Sequence, residues 1–332
     1  MTYRMPLVSI SCITYNHVAF IRDCLDGFLI QKTDFPFEIL INDDASTDGT
    51  DQVIKEYEEK YPDILKPIYQ RENQYSKGIR GMNIRFNFPR VLGKYIAMCE
   101  GDDYWTDPYK LQKQVDFLEA NPDFVMCHHD ARRIDSAGNI LSPSELSLNG
   151  VKGRDYSSEE LLRCPQLLLT LTLCFRNILK AFPKKFYKTP NGDTFLINLL
   201  GHYGKAKYLG NLIQPDCYRI HSGGIYSSRT NLEQEIMSQK TYFYIFRFYI
   251  SKSNFSIANC WFNIYINTLL RVYRLSINDK KPISLLKFHI LCLRSLLLAG
   301  MRRKYFFRLS IYSFIIFYLS LNPFKSLSLI HI

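Results

Sequence analysis

The chain reads as an α/β protein on a doubly wound, mainly parallel sheet, with a basic helical extension at its C-terminal end. Three observations predict this. Strand-like and helix-like segments alternate from residue 7 to residue 100. Three of those strands end in polar or acidic clusters, at Thr14-Tyr15-Asn16, Asp43-Asp44 and Glu100-Gly101-Asp102-Asp103. Charge is also unevenly divided. The 42 Lys/Arg and 31 Asp/Glu give +11, yet Lys240–Ile332 holds 14 basic residues and one acid, Asp279. That segment carries +13 and the rest −2.

In order, residues 7–15 form a buried apolar run, read as a strand. Residues 18–31 carry Phe20, Cys24, Leu25 and Phe28 at helical spacing. Residues 37–41 are a second strand, stopped by the polar turn 42–49. Residues 52–61 form a helix closed by Pro62, and 65–69 a third strand. Residues 81–92 are expected to be a helix ending at Gly93, and 94–99 a fourth strand. Beyond it come a helix at 111–118, a strand at 124–128, a Ser/Gly loop at 136–158 and apolar core at 161–178. A helix from Asn191 through Leu200 and a strand at 208–213 follow. From Gln239 the chain turns aromatic, basic and helical.

A doubly wound sheet binds ligands at the carboxyl ends of its strands. The three polar clusters are therefore expected to meet at one edge. A 47% hydrophobic fraction in 332 residues excludes disorder and allows a large core. The nine cysteines are scattered, without a CxxC pair, as suits reduced buried thiols rather than a disulfide frame or a zinc site. With the short first apolar run, this gives the expectation of a cytoplasmic protein.

Glu100, Asp102 and Asp103 crowd three carboxylates directly after a buried strand. A shared hard cation, Mg²⁺ or Mn²⁺, relieves the repulsion, and substrate phosphates complete its oxygen shell. Without a cation, Asp103 is a helix cap and Glu100 a solvated side chain.

The chain resembles the family 2 glycosyltransferases of GT-A fold. The resemblance is carried by Val8–Asn16, Ile41–Thr50, Gly93–Trp105 and Asp107–Gln114, and spans about residues 5–225. It implies that Thr14, Tyr15 and Asn16 line a nucleotide pocket with Asp43, and that Asp44 hydrogen-bonds the base, usually uracil. Asp102 matches the metal-binding aspartate of the D-x-D element, and Glu100 stands for its first aspartate. Arg85 is expected at a phosphate, although Ile84-Arg85 departs from the family's Arg-Asn. The implied base that deprotonates the acceptor is Asp193, at a helix start where the dipole favours a carboxylate; an aspartate there also serves as a cap. Tyr218–Gly224 resembles the loop that closes over the diphosphate, with Arg219 and His221 on one face if it is a strand. His128-His129-Asp130 is read as an acceptor-site edge.

The division expected is a GT-A catalytic domain at 1–228 and a helical, basic region at 229–332. The runs 283–298 and 305–321, with Arg302-Arg303-Lys304 between them, suit helices lying on an anionic membrane surface. A helical subdomain or a dimer interface is the other reading. No nucleic-acid motif accompanies the charge, so nucleic acid is not an expected partner. The activity that the resemblance implies is metal-dependent, inverting transfer from a UDP-sugar to a glycan or lipid-linked acceptor, peripheral on the inner face of the membrane. A nucleotidyltransferase would need a glycine-rich basic loop after the first strand, which Asn16-His17-Val18-Ala19 does not offer. A non-catalytic scaffold would not need Asp44, Asp102 and Asp193.

Overall fold

The computed structural model describes residues 5–278. The runs 283–298 and 305–321 lie outside the described residues. The strands are β1 (Val8–Thr14), β2 (Phe37–Asp43), β3 (Leu65–Tyr69), β4 (Tyr95–Glu100), β5 (Phe124–His128), β6 (Ala131–Ile134), β7 (Ile140–Ser142), β8 (Cys174–Arg176), β9 (Lys205–Tyr208) and β10 (Asp216–Arg219). The α-helices are α1 (Ile21–Leu29), α2 (Thr50–Lys60), α3 (Lys110–Ala120), α4 (Glu145–Leu148), α5 (Ser158–Arg163), α6 (Gly192–Leu200), α7 (Asn231–Ser251) and α8 (Phe255–Asn278).

Seven strands form the main sheet in the order β3-β2-β1-β4-β8-β5-β9, and β10-β6-β7 form a second, small sheet. β1 pairs in parallel with both β2 and β4, so the strand order reverses direction there. Only β8 runs against its neighbours in the main sheet. Register brings the polar ends level: Thr14 lies opposite Asp43, and Ile13 opposite Glu100. The convergence read from the sequence is thus built into the strand pairing.

Alternation along β4 sends Tyr95, Ala97 and Cys99 to one core, with α1 and α3, and Ile96 and Met98 to another. The second core also holds Phe175, Phe195, Ile245, Phe246, Trp261 and Tyr265. The hairpin α7–α8 therefore shares the apolar core of the catalytic part, beginning just after the expected boundary at 228. Thr230 opens it with a full capping box to Glu233.

β1 is apolar on one face only. Ser9 and Ser11 face the other way, where Ser9 donates to Glu38 and Ser11 to Asn83. Asn87 closes this seam, donating to the Cys12 and Leu40 carbonyls at 2.8 and 3.1 Å. The segment expected as a helix over 81–92 is instead a π-helical turn, Asn83–Asn87, followed by a 3₁₀ turn, Phe88–Arg90. Pro89 lacks the N–H that an α-helix needs, so the turn cannot propagate. The 136–158 loop contains β7 and α4, and the apolar run 161–178 breaks into the end of α5, a 3₁₀ turn and β8. The strand expected at 208–213 lies earlier, at β9. The eight cysteines among the described residues are all free, six of them buried.

Candidate functional site

The site forms where β1, β2, β4 and β10 end. Asp43 closes the turn after β2, accepting from Ser46 through both its N–H and its hydroxyl. Burial raises its pKa above the ordinary carboxylate value against these bonds. Ala45 turns the chain back at φ 62°, and Asn16 does so at φ 55° after β1. The two turns are laced together: Asn16 accepts from the Thr47 N–H at 2.8 Å and its own N–H donates to Ser46. Asp44 accepts the N–H groups of Gln74 and Tyr75 at 2.8 and 3.0 Å, one on each oxygen. Burial nevertheless raises its pKa. Each oxygen keeps a second lone pair for a ligand. Tyr15 is exposed beside them.

After β4 the three expected carboxylates separate. Asp102 turns toward two histidines. His221 Nε2 lies 3.0 Å and His17 Nε2 3.8 Å from Asp102 Oδ2. Among the described residues, these three offer ligand atoms mutually within 4.8 Å, a set Glu100 and Asp103 do not join. Asp103 is buried and accepts the Arg219 N–H at 2.8 Å on Oδ1. Burial, then the charges of Asp102 and Glu100, push its pKa well up. Glu100 is half-buried and pushed up to about 8, first by desolvation and then by the charges of Asp102 and Asp193. Burial alone would raise Asp102, but the His221 hydrogen bond and the charges of both histidines outweigh it and hold its carboxyl below the usual range.

The donor set fits a divalent cation. His17 Nδ1 shares a 3.1 Å hydrogen bond with Thr14 Oγ1. With the proton on Nδ1, the Nε2 lone pair points at a carboxylate, which is repulsive unless a cation lies between. Burial lowers the His17 pKa and favours the neutral ring that metal ligation requires. Two imidazoles and a carboxylate suit Mn²⁺ better than Mg²⁺. His17 was not singled out in the sequence; its only signal is its place one residue beyond the Thr14-Tyr15-Asn16 cluster.

Gly101 sets the spacing of this group. A Cβ there would lie 2.6 Å from Thr14 Oγ1 and 2.7 Å from Thr14 Cβ. Gly101→Ala is expected to cost about 1–3 kcal/mol by overpacking. It should also weaken Mn²⁺ binding about 10–100-fold by displacing the Thr14–His17 contact. Thermal unfolding and Mn²⁺ titration check both; unchanged Mn²⁺ affinity would contradict the arrangement.

Arg219 does not present a free fork to a phosphate in this arrangement. It is 3% exposed, and a buried guanidinium must satisfy its donors internally. Nε donates to the Asp102 carbonyl, one terminal nitrogen to Asp135 and Ser136 carbonyls, and the other to Asp23 Oδ2 at 2.8 Å. Its plane lies over Phe20, 4.6 Å from the ring centre. Arg219 thus ties the loop after β4 to α1 and β6. Arg85 is exposed on the π-helical turn, stacked 4.2 Å over Tyr187 with Nε donating to the Arg80 carbonyl.

Asp193 lies in the first turn of α6, behind the cap residue Asn191, whose side chain makes no capping bond. Burial raises the Asp193 pKa, partly offset by nearby N–H groups. Its charge adds to the upward shifts of Glu100 and Tyr226. The expected acceptor-site edge at His128-His129 is interior. His128 packs between Tyr156 and Tyr208, and burial brings it down to about 4. His129 is buried 3.2 Å from Asp216.

Comparison with known proteins agrees with this architecture. An uncharacterized protein of Mycobacterium tuberculosis is 45% identical over 160 residues, 45% of this chain and 44% of that one. The chain thus spans less than half the length of that relative. The UDP-Glc:alpha-D-GlcNAc-diphosphoundecaprenol beta-1,3-glucosyltransferase WfaP of Escherichia coli is 28% identical over 228 residues, 68% of this chain and 82% of that one. The mannosyltransferase PcManGT of Pyrobaculum calidifontis, solved with GDP-Man and Mn²⁺, superposes at a TM-score of 0.51 with 17% identity. That match covers 98% of this chain and 89% of that one, and shows a shared GT-A fold. Residues 9–181, more than half of the chain, match Glycosyl transferase family 2, and the chain belongs to that family.

Proposed function

We propose that the protein is a metal-dependent, inverting glycosyltransferase that moves a sugar from a nucleoside diphosphate, with UDP as the first candidate, to a glycan or lipid-linked acceptor. The observation that carries this reading is the meeting of His17, Asp102 and His221 where the polar ends of β1, β4 and β10 converge. Relatives support the substrate classes: WfaP is named for UDP-Glc and a diphosphoundecaprenol acceptor, and PcManGT was solved with GDP-Man and Mn²⁺.

In the proposed reaction Asp44 receives the base N–H on a free lone pair, between the laced turns at Asn16 and Ser46. Thr14, Tyr15 and Asp43 shape that pocket. His17, Asp102 and His221 would hold Mn²⁺ or Mg²⁺, which when bound neutralises charge on the departing diphosphate. Arg85 is a candidate phosphate contact at the rim. Arg219 positions Asp102 and Asp103. Asp193 takes the proton from the acceptor hydroxyl; that oxygen bonds to the anomeric carbon as the bond to the diphosphate oxygen breaks, and the nucleoside diphosphate leaves. Single displacement inverts the anomeric centre.

Calorimetric titration of UDP with Mn²⁺ tests the assignment. Wild type should bind in a metal-dependent way, and Asp102→Ala and His17→Ala should each lower that affinity by about 100-fold or more, beyond the range seen for groups that merely orient ligands. Metal-dependent binding of GDP in place of UDP would change the donor and keep the reaction class. No nucleotide binding by folded wild type would sink the reading.

A further inference from the structure

We propose that the tip of the α7–α8 hairpin, together with residues 180–188, is a docking surface for an anionic lipid membrane. Lys185 meets Arg247 and Lys252 there, with Lys180, Lys184 and Lys188 beside it in the 180–188 segment. Sequence separates Lys185 from Arg247 by 62 positions; the fold joins them. Lys185 Nζ donates to Ser251 Oγ at 3.1 Å, which sets the 180–188 segment against the C-terminal end of α7. Desolvation and the like charges of Arg247 and Lys252 lower the Lys185 pKa, so the three cations lie within electrostatic reach of one another.

Among the described residues, no carboxylate pairs with this charge. The sequence has no Asp or Glu from Arg176 through Gly192, or from Ile236 through Asn278. Among the described residues, none of the six cations has a carboxylate partner, whereas Arg271, further along α8, is paired with Glu235. Holding like charges together costs free energy unless an anionic surface meets them. An isolated anion would need a concave, buried cradle. Here Lys184, Lys188 and Lys252 are exposed side chains, while Lys180 lines a cleft with Lys94 and Arg176.

The tip also carries an apolar wedge. Phe255 is 60% exposed at the first position of α8, flanked by exposed Ser251, Lys252, Ser253 and Ser256. An exposed aromatic ring three residues from the exposed Lys252 matches a lipid interface, where the ring enters the headgroup layer and the ammonium group stays with the phosphates. A nucleic-acid backbone would use the charge but not the wedge. No described helix is long and apolar enough to cross a membrane, so this contact is peripheral.

The surface has a defined relation to the site. Asn191, at the start of α6, donates its N–H to Thr241 on α7. Thr241 and Ser251 are ten residues apart, about 15 Å along the helix axis. Phe186, next to Lys185, packs toward Gly192, beside Asp193. A bilayer at the tip therefore lies nearly three helix turns, about 15 Å, from the Asn191–Thr241 contact at the start of α6. This rests on the proposed function only for what the membrane would deliver, a lipid-linked acceptor.

The test is co-sedimentation of the full chain with phosphatidylcholine vesicles, with and without phosphatidylglycerol. Wild type should bind the mixed vesicles. The triple variant Lys184→Gln, Lys185→Gln, Lys188→Gln should bind about 100-fold more weakly, roughly fivefold per lysine removed. Lys252→Gln with Phe255→Ser, both at exposed positions, should weaken binding even where the triple variant fails to fold. Equal partition of wild type and folded variants would overturn the proposal by assigning attachment to residues 279–332. Equal binding to neutral vesicles, or retention of a nucleic acid duplex with no vesicle binding, would also overturn it. Metal-dependent UDP binding measured on the same samples separates the two readings. Vesicle binding without nucleotide binding leaves this one standing alone, and the reverse leaves only the transferase.

Discussion

Replacing Asp193 by Asn should lower kcat by about 10²–10⁴, the usual contribution of a positioned general base, while metal-dependent nucleotide binding stays at its wild-type value. The split follows from where the carboxylate lies. Asp193 stands in the first turn of α6 and is not one of the His17, Asp102 and His221 group. Burial raises its pKa, which makes it a stronger base than an exposed aspartate once ionised. Asn keeps the size and the helix start but cannot take a proton. Initial-rate measurements on donor consumption, with nucleotide calorimetry on the same sample, read both quantities. An unchanged kcat would move the base elsewhere; loss of nucleotide binding would show that Asp193 belongs to the donor pocket.

The largest effect on stability should come from a buried ion pair that lies behind the site. Lys110 and Asp216 are both fully buried, with Nζ 2.5 Å from Oδ2. Lys110 also donates to the Leu171 carbonyl at 2.6 Å and lies 3.9 Å over the Trp105 ring. Removing Lys110 leaves the Asp216 charge in the core with only the His129 ring, 3.2 Å away, beside it, which costs about 3–5 kcal/mol. Lys110→Ala should therefore lower Tm by on the order of 10 °C. Replacing both, as Lys110→Met with Asp216→Leu, should recover most of that loss, because the desolvation of two charges disappears with them. Denaturant unfolding of the two single variants and the double variant forms the cycle. Additive losses in the double variant would mean that the pair does not act as a unit. Since Asp216 opens β10, the strand that ends at Arg219, the single variants should also loosen the strut beneath Asp102.

Much of this was legible in the sequence, for identifiable reasons. β1, β2 and β4 are apolar runs that stop abruptly at acids, and parallel pairing turns those stops into one edge. Asp102 followed from its place after β4. Asp103 did not separate from it on paper, because only the alternation of the backbone after Glu100 sends one carboxylate to His221 and the next to the Arg219 N–H. His17 carries no spacing signal; its role depends on β10 returning His221 from two hundred residues away. Arg219 has the residue type of a phosphate ligand, but its burial beside Asp23 is a tertiary fact. The 81–92 segment has helical periodicity, and Pro89 with the Asn83 and Asn87 contacts to β1 overrides it. β8 is three residues long inside an apolar stretch, too short for any period to mark its ends.

That short strand governs the order in which the sheet can be completed. β5 makes no ladder with β4; it is joined to the rest of the sheet through β8. As the chain leaves the ribosome, β1 to β4 can pair among themselves through near-neighbour crossovers. In the finished sheet β5 has no ladder to β4, and residues 174–176 lie between them. The closing of the loop from β4 to β8 is a long-range event with its entropy cost unpaid until late. The edge of β4 stays open until that loop closes, a little below the carboxylates that define the site.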